Sequence, residues 1–297
     1  MISIVIISKD EPSLDGTLAD VAAQADKLGQ ADELGEPCEI VVVDASDGRL
    51  DDIKKKYENH IRWIQFSRSA GVSVSIPHQR NAGVKAALGD VIVFTDAGCT
   101  PGSEWLARLV APLRDGEYVS AGVARSAVGD AGVYDGWSDR VKASLYLDES
   151  GAGNLAFRRE AFDAVGGFDE RFAYGSDIDF TWRLVDAGYR LRSVPDAIIY
   201  HDYGKWRRQL RRSYVYGKAR ARLYRKHRAR LRHVLRKDPM VVVYPAFLLG
   251  LPLTLIFPLY PLLLLVPIWR NRSGGPIKIT VDHLTFGAGI LAELAGR

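Results

Sequence analysis

VIVFTDAGCTP, residues 91–101, runs an apolar, β-branched stretch into Asp96, two small residues, Cys99, Thr100 and Pro101. A short continuous apolar run bounded by turn residues reads as a strand buried on both faces. An acid at the carboxyl end of such a strand sits where open α/β sheets meet their ligands. Working outward, SIVIIS (3–8), CEIVVVDAS (38–46, ending its apolar run at Asp44) and IRWIQFS (61–67) read as further strands. Between them, Leu14, Leu18, Val21, Ala25 and Leu28 keep helical spacing, and residues 50–57 and 80–88 suit two more helices. Strands alternating with helices predict an α/β, Rossmann-like domain with a mostly parallel central sheet covered on both faces.

Beyond Pro101 the pattern loosens. SEWLARLVAPL (103–113) reads as a helix with Ser103 as N-cap, and the Gly-rich stretch 125–153 as loop over the site. Residues 153–172 read as a strand, a short helix and a turn at Gly166-Gly167. SDIDFTWRLVDAGY (176–189) reads as a helix stopped by Gly188, and LRSVPDAIIYHD (191–202) as a last strand leading to His201.

Charge divides the chain. Of 40 Lys/Arg, fifteen lie in residues 205–237, where no Asp or Glu occurs; all 36 Asp/Glu lie elsewhere. An acidic body with one basic block points to an anionic surface, phospholipid or nucleic acid. The block's apolar residues keep near-helical spacing, so it reads as a basic amphipathic helix. Residues 240–269 then carry no charge at all. About 20 apolar residues span a bilayer, but this run contains Pro245, Pro252, Pro258, Pro261 and Pro267, which kink helices. A kinked span and a re-entrant hairpin both remain open. Juxtaposition with the basic block favours an anionic membrane over nucleic acid as partner. Beyond the uncharged run, Ile277, Val281, Leu284, Ala288, Leu291 and Ala295 fall on one helical face and read as a closing amphipathic helix that could lie in the interface. The expected organisation is a catalytic domain (1–204), a basic interfacial helix (205–238), and a hydrophobic membrane segment with a C-terminal amphipathic helix (239–297).

Two cysteines, Cys38 and Cys99, have no paired spacing, which excludes a disulfide framework and a zinc site. No G-x-G-x-x-G follows the first strand, which disfavours a hydride-transfer enzyme. The N-terminal apolar stretch is too short for a signal peptide, so the expected location is the cytoplasmic face of a cell membrane.

Asp44 and Asp96 stand at strand ends, where a carboxylate can accept hydrogen bonds from a base or a ribose; either can also be a turn former. Asp177 and Asp179 open the 176–189 helix. Acids there suit the helix dipole, which explains one of them. The other, behind Tyr174-Gly175-Ser176, is free to face an acceptor hydroxyl as a general base.

Six motifs in order resemble the family 2 glycosyltransferases, inverting enzymes with the GT-A fold, of the bacterial membrane-associated type. These are SIVIISKDE, VVVDASDG, QRNAG (Arg80 to Gly83), TDAG for Asp-x-Asp, GFDERF with SDID and the WRL helix (167–184), and Tyr200-His201. The resemblance covers residues 2–203 and implies a nucleoside-diphosphate sugar as donor and a lipid-linked or membrane-proximal hydroxyl as acceptor. It implies that Asp44, with Ser8 and Glu11 nearby, binds the nucleotide, joined by Arg80 and Asp96. Asp177 becomes the catalytic base. Asp96 and His201 become ligands for Mg²⁺ or Mn²⁺. Trp137, Asp179 and Trp182 are the candidates for the acceptor side. Two departures stand out: Ser176 replaces the Glu of Glu-Asp-x-Asp, and Gly98 replaces the second acid of Asp-x-Asp. The second leaves metal dependence open and keeps an alternative in play, a catalytically silent nucleotide-sugar-binding subunit of a membrane assembly.

Overall fold

The protein is described by a computed structural model covering residues 1–30, 35–67, 75–127, 144–202, 204, 206–270 and 275–296. These residues fall into two compact units, one up to Asp202 and one after it.

The first unit begins β1 (Ile2–Ser8), α1 (Leu14–Gly29), β2 (Cys38–Asp44), α2 (Asp51–Tyr57), β3 (Arg62–Gln65), α3 (Ile76–Ala86) and β4 (Val91–Asp96). It continues β5 (Cys99–Pro101), α4 (Trp105–Arg114), β6 (Val119–Ser126), β7 (Tyr146–Leu147), β8 (Asn154–Arg158), α5 (Arg159–Ala164), α6 (Ser176–Asp186) and β9 (Leu191–His201). Strand order is β3-β2-β1-β4-β8-β6-β9-β5, with β7 on β9. Side chains alternate along the strands. Ile4, Ile6, Val42 and Val93 pack under α1 and α4 with Leu14, Leu18 and Trp105. Val5, Val43 and Phe94 pack on the opposite face with Phe157, Phe168 and Phe180. Both faces are therefore covered, which is why β1 is buried along its whole length.

The sheet is mixed rather than mostly parallel. β3, β2, β1 and β4 run parallel, but β8 is antiparallel to both β4 and β6, and β5 is antiparallel to β9. Strand β6, with β5 and β7, is absent from the sequence reading, and β6 runs into the stretch expected to be loop. Ser103 does not cap α4; Glu104 precedes it in a left-handed conformation, and no side chain caps the helix. Helix α3 starts earlier than expected, at Ile76, with a proline in its first turn, where the missing amide is harmless.

The second unit comprises α7 (Trp206–Lys226), a 3₁₀ segment (Arg228–His233), α8 (Val234–Lys237), α9 (Met240–Leu249), 3₁₀ segments at Leu251–Leu255 and Tyr260–Leu264, α10 (Leu265–Arg270) and α11 (Pro276–Ala295). The basic helix breaks after Lys226. Its inner face pairs with α11: Ser213 donates to buried Asp282 at 2.5 Å, and Arg222 and Arg225 hold Glu293 at 2.8 and 3.3 Å. The uncharged run 240–269 is divided among four short helical pieces. No helix among the described residues is long and apolar enough to cross a membrane.

Candidate active site

Register brings the site together at the carboxyl ends of the parallel strands. Ser8 lies opposite Asp44, and Ile7 opposite Asp96. In the antiparallel direction Thr95 pairs with Asn154, so Gly153 enters β8 directly across from Asp96.

Asp44 and Ser8 are buried at the carboxyl ends of β2 and β1. Asp44 Oδ1 accepts from the Ser46 amide (3.1 Å) and hydroxyl (2.5 Å), while Asp44 Oδ2 and Ser8 Oγ have no partner within the protein. Two buried polar atoms in that state are unusual in a folded protein and leave hydrogen-bonding capacity unused at these strand ends. Burial raises the Asp44 pKa against the pull of the Ser46 bonds. Glu11 stands at the N-terminal side of α1, with Oε1 accepting from the Ser13 hydroxyl (2.5 Å).

Helix α3 delivers Arg80. Gln79, a residue the sequence reading passed over, donates to the carbonyls of Ser8 (2.9 Å) and Val43 (3.0 Å) and so staples α3 to the ends of β1 and β2. Its neighbour Arg80, 4% exposed, then reaches Asp96 Oδ1 at 3.1 Å. The guanidinium packs against the rings of Phe94 and Phe168, 5.8 and 5.6 Å from their centroids. Asn81 fixes Phe168 in place, receiving its amide and donating to its carbonyl, both at 2.9 Å. The Arg-Asn pair of QRNAG thus clamps the Gly-Phe-Asp-Glu turn, a role visible only once the two segments are seen in contact.

Asp177 opens α6. Its Oδ1 accepts from the Ile178 amide at 2.9 Å. The residue keeps a partly exposed surface although its carboxylate is densely surrounded. Burial raises its pKa; the positive charge of Arg80 lowers it and the negative charge of Asp96 raises it. Asp96 and Asp177 therefore share Arg80 electrostatically. The loop before β8 faces both: a Cβ on Gly153 would come within 2.7 Å of Asp96 Oδ2, and one on Gly151 would sit 3.6 Å from Asp177 Oδ2.

The acceptor-side expectations fare differently. Asp179 is fully buried and paired with Arg183 Nε at 2.9 Å, so it belongs to the helix's internal support rather than to an open acceptor face. Trp182 is also buried; its Nε1 donates to Glu149 Oε2 at 2.8 Å. With the Ser150 amide on Thr181 Oγ1 (3.2 Å), that bond ties the 149–153 loop to α6 and holds the two glycines against the acids. Trp137 lies outside the described residues. Cys99 is buried and its thiol is pushed up to about 12, so it offers no nucleophile.

Gly98 has φ +84°, a left-handed conformation that favours glycine, and a Cβ there would lie 3.1 Å from Ser13 Oγ. An acid at this position would be strained as the backbone stands. Among the described residues, no three His, Cys, Asp or Glu side chains converge as a metal site. Asp96, whose side chain is 35% exposed, fits a hard divalent ion that takes one carboxylate and completes its shell with diphosphate oxygens and water. His201 ends β9, paired in register with Cys99.

Comparison with known proteins finds relatives among glycosyltransferases. The chain is 32% identical over 170 residues to the pre-mycofactocin glycosyltransferase of Mycobacterium tuberculosis, covering 50% of this chain and 34% of that protein. It is 27% identical over 162 residues to glycosyltransferase AglE of Haloferax volcanii, covering 52% and 53%. The chain thus spans about a third to a half of the length of these curated relatives. Among solved structures, mannosyltransferase PcManGT from Pyrobaculum calidifontis, in complex with GDP-Man and Mn²⁺, superposes with a TM-score of 0.69 at 18% identity, covering 100% of this chain and 87% of that one. That likeness is one of fold, the GT-A fold. Residues 150–270 match Glycosyl transferase family group 2. Residues 3–174, more than half of the chain and including Ser8, Asp44, Arg80 and Asp96, match Glycosyl transferase family 2, and this chain belongs to that family.

Proposed function

We propose that this chain is an inverting, nucleotide-sugar-dependent hexosyltransferase working at the cytoplasmic face of a membrane on a lipid-linked or membrane-proximal hydroxyl. The observation that carries the chemistry is Asp177: a residue that keeps a partly exposed surface, beside the Arg80–Asp96 pair and bordered by Gly151. Ser8 and Asp44 offer unpartnered polar atoms to the nucleotide. Asp177 takes the proton of the acceptor hydroxyl, whose oxygen bonds to the anomeric carbon as the bond to the nucleoside diphosphate breaks on the opposite face, so configuration inverts. A divalent ion, held by Asp96 with His201 as the second candidate ligand, would offset charge on the departing diphosphate. The basic block next to the uncharged run 240–269 supports the membrane setting.

The test is nucleoside diphosphate release by the full chain in lipid nanodiscs. UDP-, GDP- and dTDP-sugars serve as donors, with lipid extract as acceptor and with Mg²⁺, Mn²⁺ or chelator. Release with inverted product stereochemistry, lost in Asp177→Asn, is the expected result. Nucleotide binding without release from any donor would sink the transferase reading in favour of a silent binding subunit.

A further inference from the structure

The second unit carries an apolar surface that the transfer chemistry does not use. Helix α9 has ten residues, about 15 Å of helix, against a hydrocarbon core of about 30 Å. The chain then leaves the helix at Gly250, passes through the two 3₁₀ segments and returns as α10. Tyr260 closes the elbow. Its hydroxyl donates to the Phe247 carbonyl at 3.0 Å, and its ring stacks on Phe247 with centroids 5.2 Å apart. A Cβ at residue 250 would collide with the Tyr260 hydroxyl, so the glycine makes this closure possible. Every residue from Leu255 to Leu259 is exposed, Leu255 to 89% and Ile256 to 85%. An apolar surface of this extent marks a docking site.

The charge beside it identifies the occupant. Arg228, Arg232 and Arg236 are exposed at every fourth residue of the segment leading into α9, interleaved with exposed Leu231 and Leu235. An apolar wedge preceded by cations complements a leaflet with acyl chains for the wedge and anionic headgroups for the arginines. We propose that residues 249–266 enter one leaflet of an anionic phospholipid bilayer as a shallow re-entrant elbow that does not cross it, while residues 228–237 select the anionic headgroups. The proposal rests on the membrane-proximal reading of function and specifies how the chain holds that membrane.

The experiment is flotation of the full chain with phosphatidylcholine vesicles, with and without phosphatidylglycerol, alongside nucleoside diphosphate release to a soluble acceptor analogue. Each cation near an anionic surface is worth about fivefold in binding. Arg228→Gln, Arg232→Gln and Arg236→Gln together should therefore weaken binding to anionic vesicles about 10²-fold and leave neutral-vesicle binding unchanged. Leu255→Glu with Ile256→Glu should weaken binding to both by about 10²-fold, with the thermal transition intact because both side chains project from the fold. In Ile256→Cys, a thiol reagent trapped inside the vesicle should leave the new cysteine unlabelled. Equal affinity for neutral and anionic vesicles, or labelling from the lumen, overturns the proposal. So does lipid-free dimerisation that the Glu pair abolishes, since the elbow then seats a second copy. Diphosphate release without vesicle binding overturns the elbow and leaves the transferase reading standing; vesicle binding without release does the reverse.

Discussion

Asp177→Asn separates chemistry from architecture. The Asn side chain has the same shape, and its Oδ1 can keep the 2.9 Å bond from the Ile178 amide. What disappears is the proposed base. A positioned general base is worth about 10²–10⁴ in rate, or about 2.7–5.5 kcal/mol of barrier. The surroundings place the loss toward the upper end. Asp179 is buried against Arg183 and Asp96 is engaged by Arg80, so neither is placed to take the proton instead. The same substitution should raise stability at neutral pH. Burial raises the folded-state pKa of Asp177 above its ordinary value. A carboxyl shifted that way favours the folded state fully below the unfolded pKa and loses that contribution as pH rises through the folded one. Above the unfolded pKa the raised group is a burden on the fold, which Asn relieves; in acid the difference vanishes. Turnover by diphosphate release and Tm from acid to neutral pH measure the two effects separately. A variant that keeps more than about a tenth of native turnover, or melts lower than native at neutral pH, refutes the assignment of Asp177 as a crowded, ionised base.

Two alanine substitutions in one loop should diverge: Gly153→Ala drives a Cβ to 2.7 Å from Asp96 Oδ2 and should abolish turnover, while Gly151→Ala makes only a 3.6 Å contact and should stay active. Circular dichroism confirms that both fold, and equal activities would contradict the geometry. Asp179→Ala takes the carboxylate from Arg183, whose guanidinium keeps the carbonyls of Val165 and Gly167, and should cost about 1.5–3 kcal/mol in urea unfolding, as for a lost charged hydrogen bond; an undiminished midpoint would return Asp179 to the acceptor side. Arg80→Gln removes the charge that lowers the Asp177 pKa, so the acid limb of the kcat–pH profile should move to higher pH. An acid limb that stays in place, or moves down, disconnects Arg80 from the base.

Much of the nucleotide half was legible because its information is local. Each β-branched run ends on the residue that matters, so Ser8, Asp44 and Asp96 fall on one edge once the strands are parallel and adjacent. Strand direction is not local. NLAF (154–157) looks the same whether β8 runs with or against β4; its antiparallel course depends on pairing with β4 and β6. Strand β6 hid in VSAGVARS, whose small residues carry little periodicity. The prolines of 240–269 spoke against one straight helix, and Pro252 and Pro261 each lie in the first turn of a 3₁₀ segment. The reversal between those pieces depends on Tyr260 meeting Phe247 across thirteen residues, which no window of sequence displays.

The two departures from the family pattern act in the same electrostatic direction. Asp177 already works against burial and against the charge of Asp96, with Arg80 as the opposing cation. A glutamate at position 176, adjacent in the chain and buried here as Ser176, would add like charge to a carboxylate that must remain ionised to act as a base. An acid at position 98 would add more at the end of β4, on a backbone that favours glycine. With Ser176 and Gly98 in place, Asp96, Asp177 and Arg80 carry one net negative charge between them, so a single cation can stabilise both carboxylates. The missing acids thus leave less negative charge around Asp177, with Arg80 as the opposing cation.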